Sequence, residues 1–398
     1  MSRSSDVGLA WLEESLRSLE ARGLRRRLTL VNDRRPGEIC LDGRWLRDFS
    51  GNDYLGLAFH PESVDAARQA LEKQGCGSGG SRIVTGGVPP HAALEQALHR
   101  FTHQTCLVFP SGYQANLGVI QSLCQPGDTI FTDENNHASI VDGCRLSGAH
   151  CRIYPHGRWD MLEEWLAEPD HGRRWIVTDT VFSMDGSLAP LKHLGRLADA
   201  HRAGLIVDEA HAMGILGPGG RGYCADQEVR PLVQMGTFSK GLGSHGAFTS
   251  SNDLVADWLI NRARSFIYTT ALPPAVVGAC ARSLALCTTS EGDRLRHRVL
   301  ALADGLRTQL REAGLKPSGD GTPIVSIPFN EPTRASAIQS RLIEAGHLAW
   351  AFRPPTVPPG TSRLRISLSA SHRRAQVDGL GRALGRALGG AGPRSNHG

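Results

Sequence analysis

Lysine is scarce in this 398-residue chain: of 44 basic residues only Lys73, Lys192, Lys240 and Lys316 are lysines. Any chemistry that needs a side-chain primary amine therefore has four candidates. None of the four follows a glycine; their neighbours are Glu72, Leu191, Ser239 and Leu315. The phosphate-cradling pattern G-x-x-x-x-G-K-[ST] is thus missing. Asp208-Glu209-Ala210-His211 after an apolar run looks like a helicase acidic box, but without that loop the helicase reading falls. The nine cysteines include no C-x-x-C pair, which argues against a zinc ribbon or a thioredoxin-type redox site. Their odd number and settings such as Cys106-Leu107-Val108-Phe109 suit buried, reduced thiols. No run approaches the ~20 apolar residues that span a bilayer. The start, Met1-Ser2-Arg3-Ser4-Ser5-Asp6, holds no apolar leader. A soluble, cytoplasmic protein is expected, with no membrane partner. The net charge of +5 is too small an excess to imply nucleic acid.

Hydrophobic residues make up 40% of the chain, enough for a large core. The spacing predicts an amphipathic helix over 6–28, then short strands at 38–41 and 45–49 split by the turn signal Asp42-Gly43. From about residue 62 helical patterns at 62–74, 91–103, 114–123, 160–168 and 190–203 alternate with short apolar runs. Those runs lie at 106–109, 129–131, 151–154, 175–178, 205–207 and 247–249. Such alternation implies an α/β fold, a mostly parallel sheet covered by helices on both faces. Beyond Pro273-Pro274 longer helices at 275–288, 291–313 and 333–345 mix with apolar runs at 324–327, 348–352 and 364–368, before a last helix from Ser371. The expected organisation is a lead segment 1–50, a large α/β domain 51–285, a smaller α+β domain 286–388 and a flexible tail 389–398.

Two stretches match G-x-G-x-x-G, at Gly75/Gly77/Gly80 and Gly241/Gly243/Gly246. The first follows a helical pattern and the second runs into a strand pattern, so both read as tight turns. His99 and His103 stand four apart on a predicted helix without a third ligand, and no metal is expected.

Ligands of open α/β sheets collect outside the carboxyl ends of the strands. Asp208 and His211 follow the run 205–207, and Ser183 follows 175–178. His137 follows 129–131, and Ser111-Gly112-Tyr113-Gln114 follows 106–109 and opens a helix. Lys240 sits in Thr237-Phe238-Ser239-Lys240-Gly241. Together these types match the needs of pyridoxal 5'-phosphate. Its aldehyde takes the amine of Lys240, and its pyridine nitrogen a carboxylate, Asp208. Its phosphate takes hydroxyls and a helix start: Ser111, Gly112, Tyr113, Thr237 and Ser239. His137 offers a flat partner for the ring, and Ser183 with His211 donors for the phenolic oxygen.

The segments 52–57, 77–82, 181–186, 207–211 and 237–241 resemble those of the α-oxoamine synthases, in order from about residue 20 to 385. This resemblance implies the aspartate-aminotransferase-like fold (type I of the pyridoxal-phosphate enzymes), with a seven-stranded sheet and a homodimer. It implies a transferase that condenses an amino acid with an acyl thioester and releases carbon dioxide. Arg353-Pro354-Pro355-Thr356-Val357-Pro358-Pro359-Gly360, followed by Arg363-Leu364-Arg365, is most similar to members of biotin biosynthesis. Those join L-alanine to a pimeloyl group carried by coenzyme A or acyl carrier protein. The catalytic set carried over is Lys240, His137 and Asp208. Cofactor binding falls to Gly112, Tyr113, His137, Ser183, Asp208, His211, Thr237 and Lys240, with Thr269 or Thr270 reaching the neighbouring subunit's phosphate. Substrate binding falls to Arg25, Asn52, His137, Thr356 and Arg365. The alternatives are a relative that uses glycine with an acetyl thioester or serine with a long acyl thioester, and a catalytically silent scaffold subunit.

Overall fold

The computed structural model describes residues 8–22, 24–169, 171–354 and 356–389. The first two residues of the expected 6–28 helix and nearly all of the expected tail lie outside them.

Seven strands form the central sheet. In spatial order they are Thr105–Phe109, Ala247–Ser251, Val233–Thr237, Gly204–Asp208, Arg174–Asp179, Thr129–Asp133 and His150–Tyr154. Only Ala247–Ser251 runs antiparallel to its neighbours. The six others point one way, so their carboxyl ends share one rim. Alternation along the strands feeds two cores. Ile130, Val177, Ile206 and Met235 pack with the helices Gly112–Leu123, Ala138–Ser147 and Asp253–Arg262. Phe131, Ile176, Leu205 and Val207 pack with Trp159–Ala167 and Leu191–Ala200. Strands buried on both faces read as short continuous apolar runs, which is why most were visible in the sequence.

Two small sheets flank this one. Asp33–Arg35, Glu38–Leu41 and Arg44–Asp48 are joined by His347–Leu348, and Ile324–Pro328, Arg363–Ser367 and Trp350–Phe352 form the other. The apolar run 348–352 is thus two strands in two sheets, with the buried Ala349 between them. A third apolar cluster reaches from Phe49 and Leu94 through Cys280 to Leu384 and joins the segment after the first small sheet to the last helix, Arg374–Ala387.

The first helix spans Ala10–Ala21, shorter than the spacing predicts, and buries none of its residues. Beyond it the arginines fold back instead of extending the helix: Arg25 and Arg27 both pair with Glu20. Gly75, Gly243 and Gly246 have positive φ, the turn role expected of both glycine patterns. His103 ends the helix Pro89–Thr102 in the left-handed region and His99 bonds the Gln104 carbonyl. Among the described residues no cluster of His, Cys, Asp or Glu could hold a metal, and no helix is long and apolar enough to cross a membrane.

Candidate active site

Strand endings build this site. Asp133, Asp179, Asp208 and Thr237 are each the last residue of a strand on the common rim, and Asp179 pairs in register with Asp208. Where the strands stop, Asp133 pairs with His156, while Asp179, Asp208 and Thr237 meet a cavity of about 160 Å3. It is lined by Gly112, Tyr113, His137, Ser183, Asp208, His211, Thr237 and Lys240, all expected from the sequence, together with Ser139 and Asp179.

Asp208 is buried and held on both oxygens. Oδ1 accepts the Ala210 backbone N–H at 2.7 Å and Oδ2 the Asn116 side-chain amide at 2.7 Å. A carboxylate has about four acceptor positions, so capacity remains for a further N–H from the cavity. Burial pushes the Lys240 amine below its ordinary pKa, against the pull of the Asp208 and Asp179 carboxylates. Among the described residues no side chain hydrogen-bonds that amine. Burial likewise lowers the pKa of His137 and, further, that of His211, where Lys240 and Arg365 add like charge. Both rings are therefore neutral at pH 7.

His211 Nδ1 lies 2.7 Å from the Tyr54 hydroxyl. That oxygen also receives Arg365 Nη2 at 3.2 Å. Arg365 extends the array: Nε donates to the Ser183 carbonyl at 2.6 Å, Nη1 to Ser367 Oγ at 2.8 Å and Nη2 to Asn52 Oδ1 at 3.1 Å. The expected carboxylate-binding pair, Asn52 and Arg365, is thus assembled beside Ser183 and the cavity.

On the opposite wall Ser111 caps the helix Gly112–Leu123 by accepting the Gln114 N–H at 3.2 Å. A Cβ on Gly112 would come within 2.8 Å of Thr237 Cγ2, so glycine lets the helix start close on the strand end. Unpaired N–H groups at a helix start favour an anion, and Thr237 and Ser239 add hydroxyls nearby. Amine, buried carboxylate, neutral imidazoles and anion-binding helix start are the donor set that pyridoxal 5'-phosphate requires, and the residues present fit that group.

Three expected residues stand apart. Arg25 is turned to Glu20 at 3.3 Å, whereas its neighbour Arg26 donates to Thr356 Oγ1 at 2.7 Å. Thr270 is exposed, while Thr269 accepts from Gln114 Nε2 at 3.3 Å. Sequence reasoning missed Asp179, Asn116, Ser139 and the role of Tyr54. Asp179 was within reach of the strand-end rule, and Asn116 stands as a lone amide in the apolar helix Gly112–Leu123. Asp179, whose carboxyl oxygen accepts the His137 backbone N–H at 2.7 Å, is pushed well above the usual carboxylate range by burial and by Asp208.

Comparison with known proteins places residues 46–384 in the family described as aminotransferase class I and II. The chain is 44% identical over 383 residues to an 8-amino-7-oxononanoate synthase of Burkholderia thailandensis, covering 94% of this chain and 97% of the relative. It is 44% identical over 369 residues to the enzyme of the same description from Marinobacter nauticus, covering 92% and 93%. Among solved structures, Sphingomonas wittichii serine palmitoyltransferase superposes with a TM-score of 0.89 at 33% identity, over 97% of this chain and 99% of that one. The 8-amino-7-oxononanoate synthase of Francisella tularensis gives 0.76 at 29% identity, over 86% and 98%.

Proposed function

Because this chain belongs to the class I and II aminotransferase family and, within it, to the 8-amino-7-oxononanoate synthases, we propose the following division of labour around Lys240. The reaction is the decarboxylative condensation of L-alanine with a pimeloyl thioester, a pyridoxal-phosphate-dependent acyl transfer of biotin biosynthesis. When bound, pyridoxal 5'-phosphate supplies an aldehyde that takes up an amine and a protonated pyridine that draws electrons from the attached amino acid.

Lys240 would hold the aldehyde, and its free amine would take the Cα proton of alanine. Burial lowers its pKa, which favours the neutral, proton-accepting form of the amine. Asp208 would accept the pyridine N–H. His137 would offer its face to the ring and donate to the carbonyl oxygen of the acyl substrate. His211 and Ser183 serve the phenolic oxygen, while Gly112, Tyr113 and Thr237 hold the phosphate end. Asn52 and Arg365 take the alanine carboxylate until it leaves as carbon dioxide.

Arg25 or Arg26, with Thr356, meets the pimeloyl group, delivered on coenzyme A or an acyl carrier protein. Residues 51–285 act as the cofactor-binding domain and 286–388 as the smaller domain that brings in Arg365. The enzyme works in the cytoplasm as a homodimer in which Thr270 reaches the phosphate held by the other copy.

What most supports this assignment of roles is the convergence of Lys240, Asp208 and His137 on one cavity at the strand ends. The test is to add pyridoxal 5'-phosphate, reduce with borohydride and map the modified peptide. In a separate reaction with unreduced, cofactor-loaded protein, labelled alanine, glycine or serine is incubated with each acyl donor and the product weighed. The expected result is cofactor fixed to Lys240 and a product heavier than alanine by the pimeloyl group less carbon dioxide. Condensation at the parental rate in Lys240→Ala, or a glycine- or serine-derived product instead, would overturn it.

A further inference from the structure

Asn116 is almost fully buried and Ser139 completely so. The Asn116 amide nitrogen carries two hydrogens and has two acceptors, Asp208 Oδ2 at 2.7 Å and Ser139 Oγ at 2.9 Å. The opposite orientation of the amide would set its carbonyl oxygen against a carboxylate, so chemistry fixes which way it points. Ser139 Oγ accepts from Asn116, and its own hydrogen is left for His137 Nδ1, 2.7 Å away. The Ser139 backbone N–H reaches the same Nδ1 at 3.2 Å. A backbone N–H can only donate, so Nδ1 is the acceptor. The neutral ring therefore carries its hydrogen on Nε2.

We propose that Asn116 and Ser139 are positioning residues that lock His137 in the Nε2–H form, the donor that meets the carbonyl oxygen of an acyl thioester. The proposal rests on the role given to His137 above and deepens it. In the other tautomer Nδ1–H would turn to Ser139 Oγ, leaving the Ser139 backbone N–H without its acceptor and the hydroxyl hydrogen without its partner. Locked as it is, the ring presents its hydrogen before substrate arrives. A pre-aimed donor gains strength as negative charge grows on the carbonyl oxygen during attack. The same amide also steadies Asp208, so one buried side chain orients the groups at both the pyridine nitrogen and the acyl carbonyl.

The test uses Ser139→Ala, a small change that leaves the backbone N–H in place, and Ser139→Cys, which restores a weak donor. Imidazole 15N spectra of the cofactor-free protein report which ring nitrogen of His137 bears hydrogen. With cofactor and alanine but no acyl donor, exchange of the alanine α-proton reports the Lys240 step alone. The parent is expected to show unprotonated Nδ1. Ser139→Ala loses the shorter 2.7 Å hydroxyl bond and keeps only the 3.2 Å backbone one, so it is expected to show some Nδ1–H form beside a remaining Nε2–H form, a condensation kcat about tenfold lower and a much smaller loss in α-proton exchange, with Ser139→Cys recovering part of the rate. Hydrogen on Nδ1 in the parent overturns the proposal, as does exchange that falls in step with condensation in Ser139→Ala. A parent that neither exchanges nor condenses sinks the functional reading itself, while the ring-nitrogen spectrum still decides the tautomer.

Discussion

Arg365 donates to the Ser183 carbonyl, Ser367 Oγ, Asn52 Oδ1 and the Tyr54 hydroxyl, and it is buried. Removing it as Arg365→Ala leaves several of these acceptors without a partner, a loss of about 1–3 kcal/mol in unfolding free energy. The KM for alanine is expected to rise at least about tenfold, because a planar fork matched to a carboxylate is gone. Arg365→Lys should restore charge but little of the KM, since an ammonium cannot span the same acceptors. Steady-state kinetics and urea titration read both effects. A second residue speaks to pH. Glu209, next to Asp208 but facing away from the cavity, is wholly buried, and burial raises its carboxyl to about 7 against the hydrogen bonds from Cys224 and Gln234. Between pH 4.5 and 7 the folded chain keeps a proton that the unfolded chain has lost. Stability therefore falls as pH climbs through that window, by on the order of 3 kcal/mol. Glu209→Gln should flatten this slope in denaturation midpoints measured across the window; an unchanged slope would place the dependence elsewhere.

At the scale of elements, the segment 24–32 carries the arginines proposed to meet the acyl donor. Arg25 is engaged with Glu20 and Arg26 with Thr356. Arg26→Ala is thus expected to raise the KM for the acyl donor several-fold, and Arg25→Ala to raise it less; the reverse order would return the role to Arg25. The adjacent elements also show what a sequence can disclose. Strands such as Gly204–Asp208 declared themselves because both faces are buried and nearly every residue is apolar. Val233–Thr237 was not anticipated, since Gln234 and Gly236 interrupt it. Gln234 is tolerated inside because it donates to Glu209, and Gly236 is required because the Phe248 ring lies 2.5 Å from where its Cβ would be. Both reasons are tertiary and leave no local trace. The helices Ala138–Ser147 and Asp253–Arg262 were likewise passed over, although His137 and Asn252 cap them with side chains that accept from backbone N–H groups. The expected cavity-lining groups were legible because they close a strand, as Asp208 and Thr237 do, start a helix, as Gly112, Tyr113 and His137 do, or follow a strand end in a loop, as Ser183, His211 and Lys240 do. The supporting pair Asn116 and Ser139 was not, because their meeting depends on two helices packing face to face.

For the whole molecule, the first helix bears on assembly. Ala10–Ala21 buries nothing, and Leu9, Trp11, Leu12 and Leu16 are all exposed. Such a row in water is costly and is expected to be covered in the proposed homodimer. Light scattering should give twice the 42.9 kDa of the chain, and deletion up to residue 22 should shift the population toward the single chain. A parent at the mass of one chain would remove the dimer from this account. The strand order has a further consequence for how such an enzyme is born. Thr105–Phe109 finds its sheet partner only in Ala247–Ser251, far downstream. A ribosome must therefore release both strands before the early one can dock, and Arg365 emerges later still. Until then the nascent chain has no finished pocket, so vitamin capture belongs to the last moments of synthesis or after it.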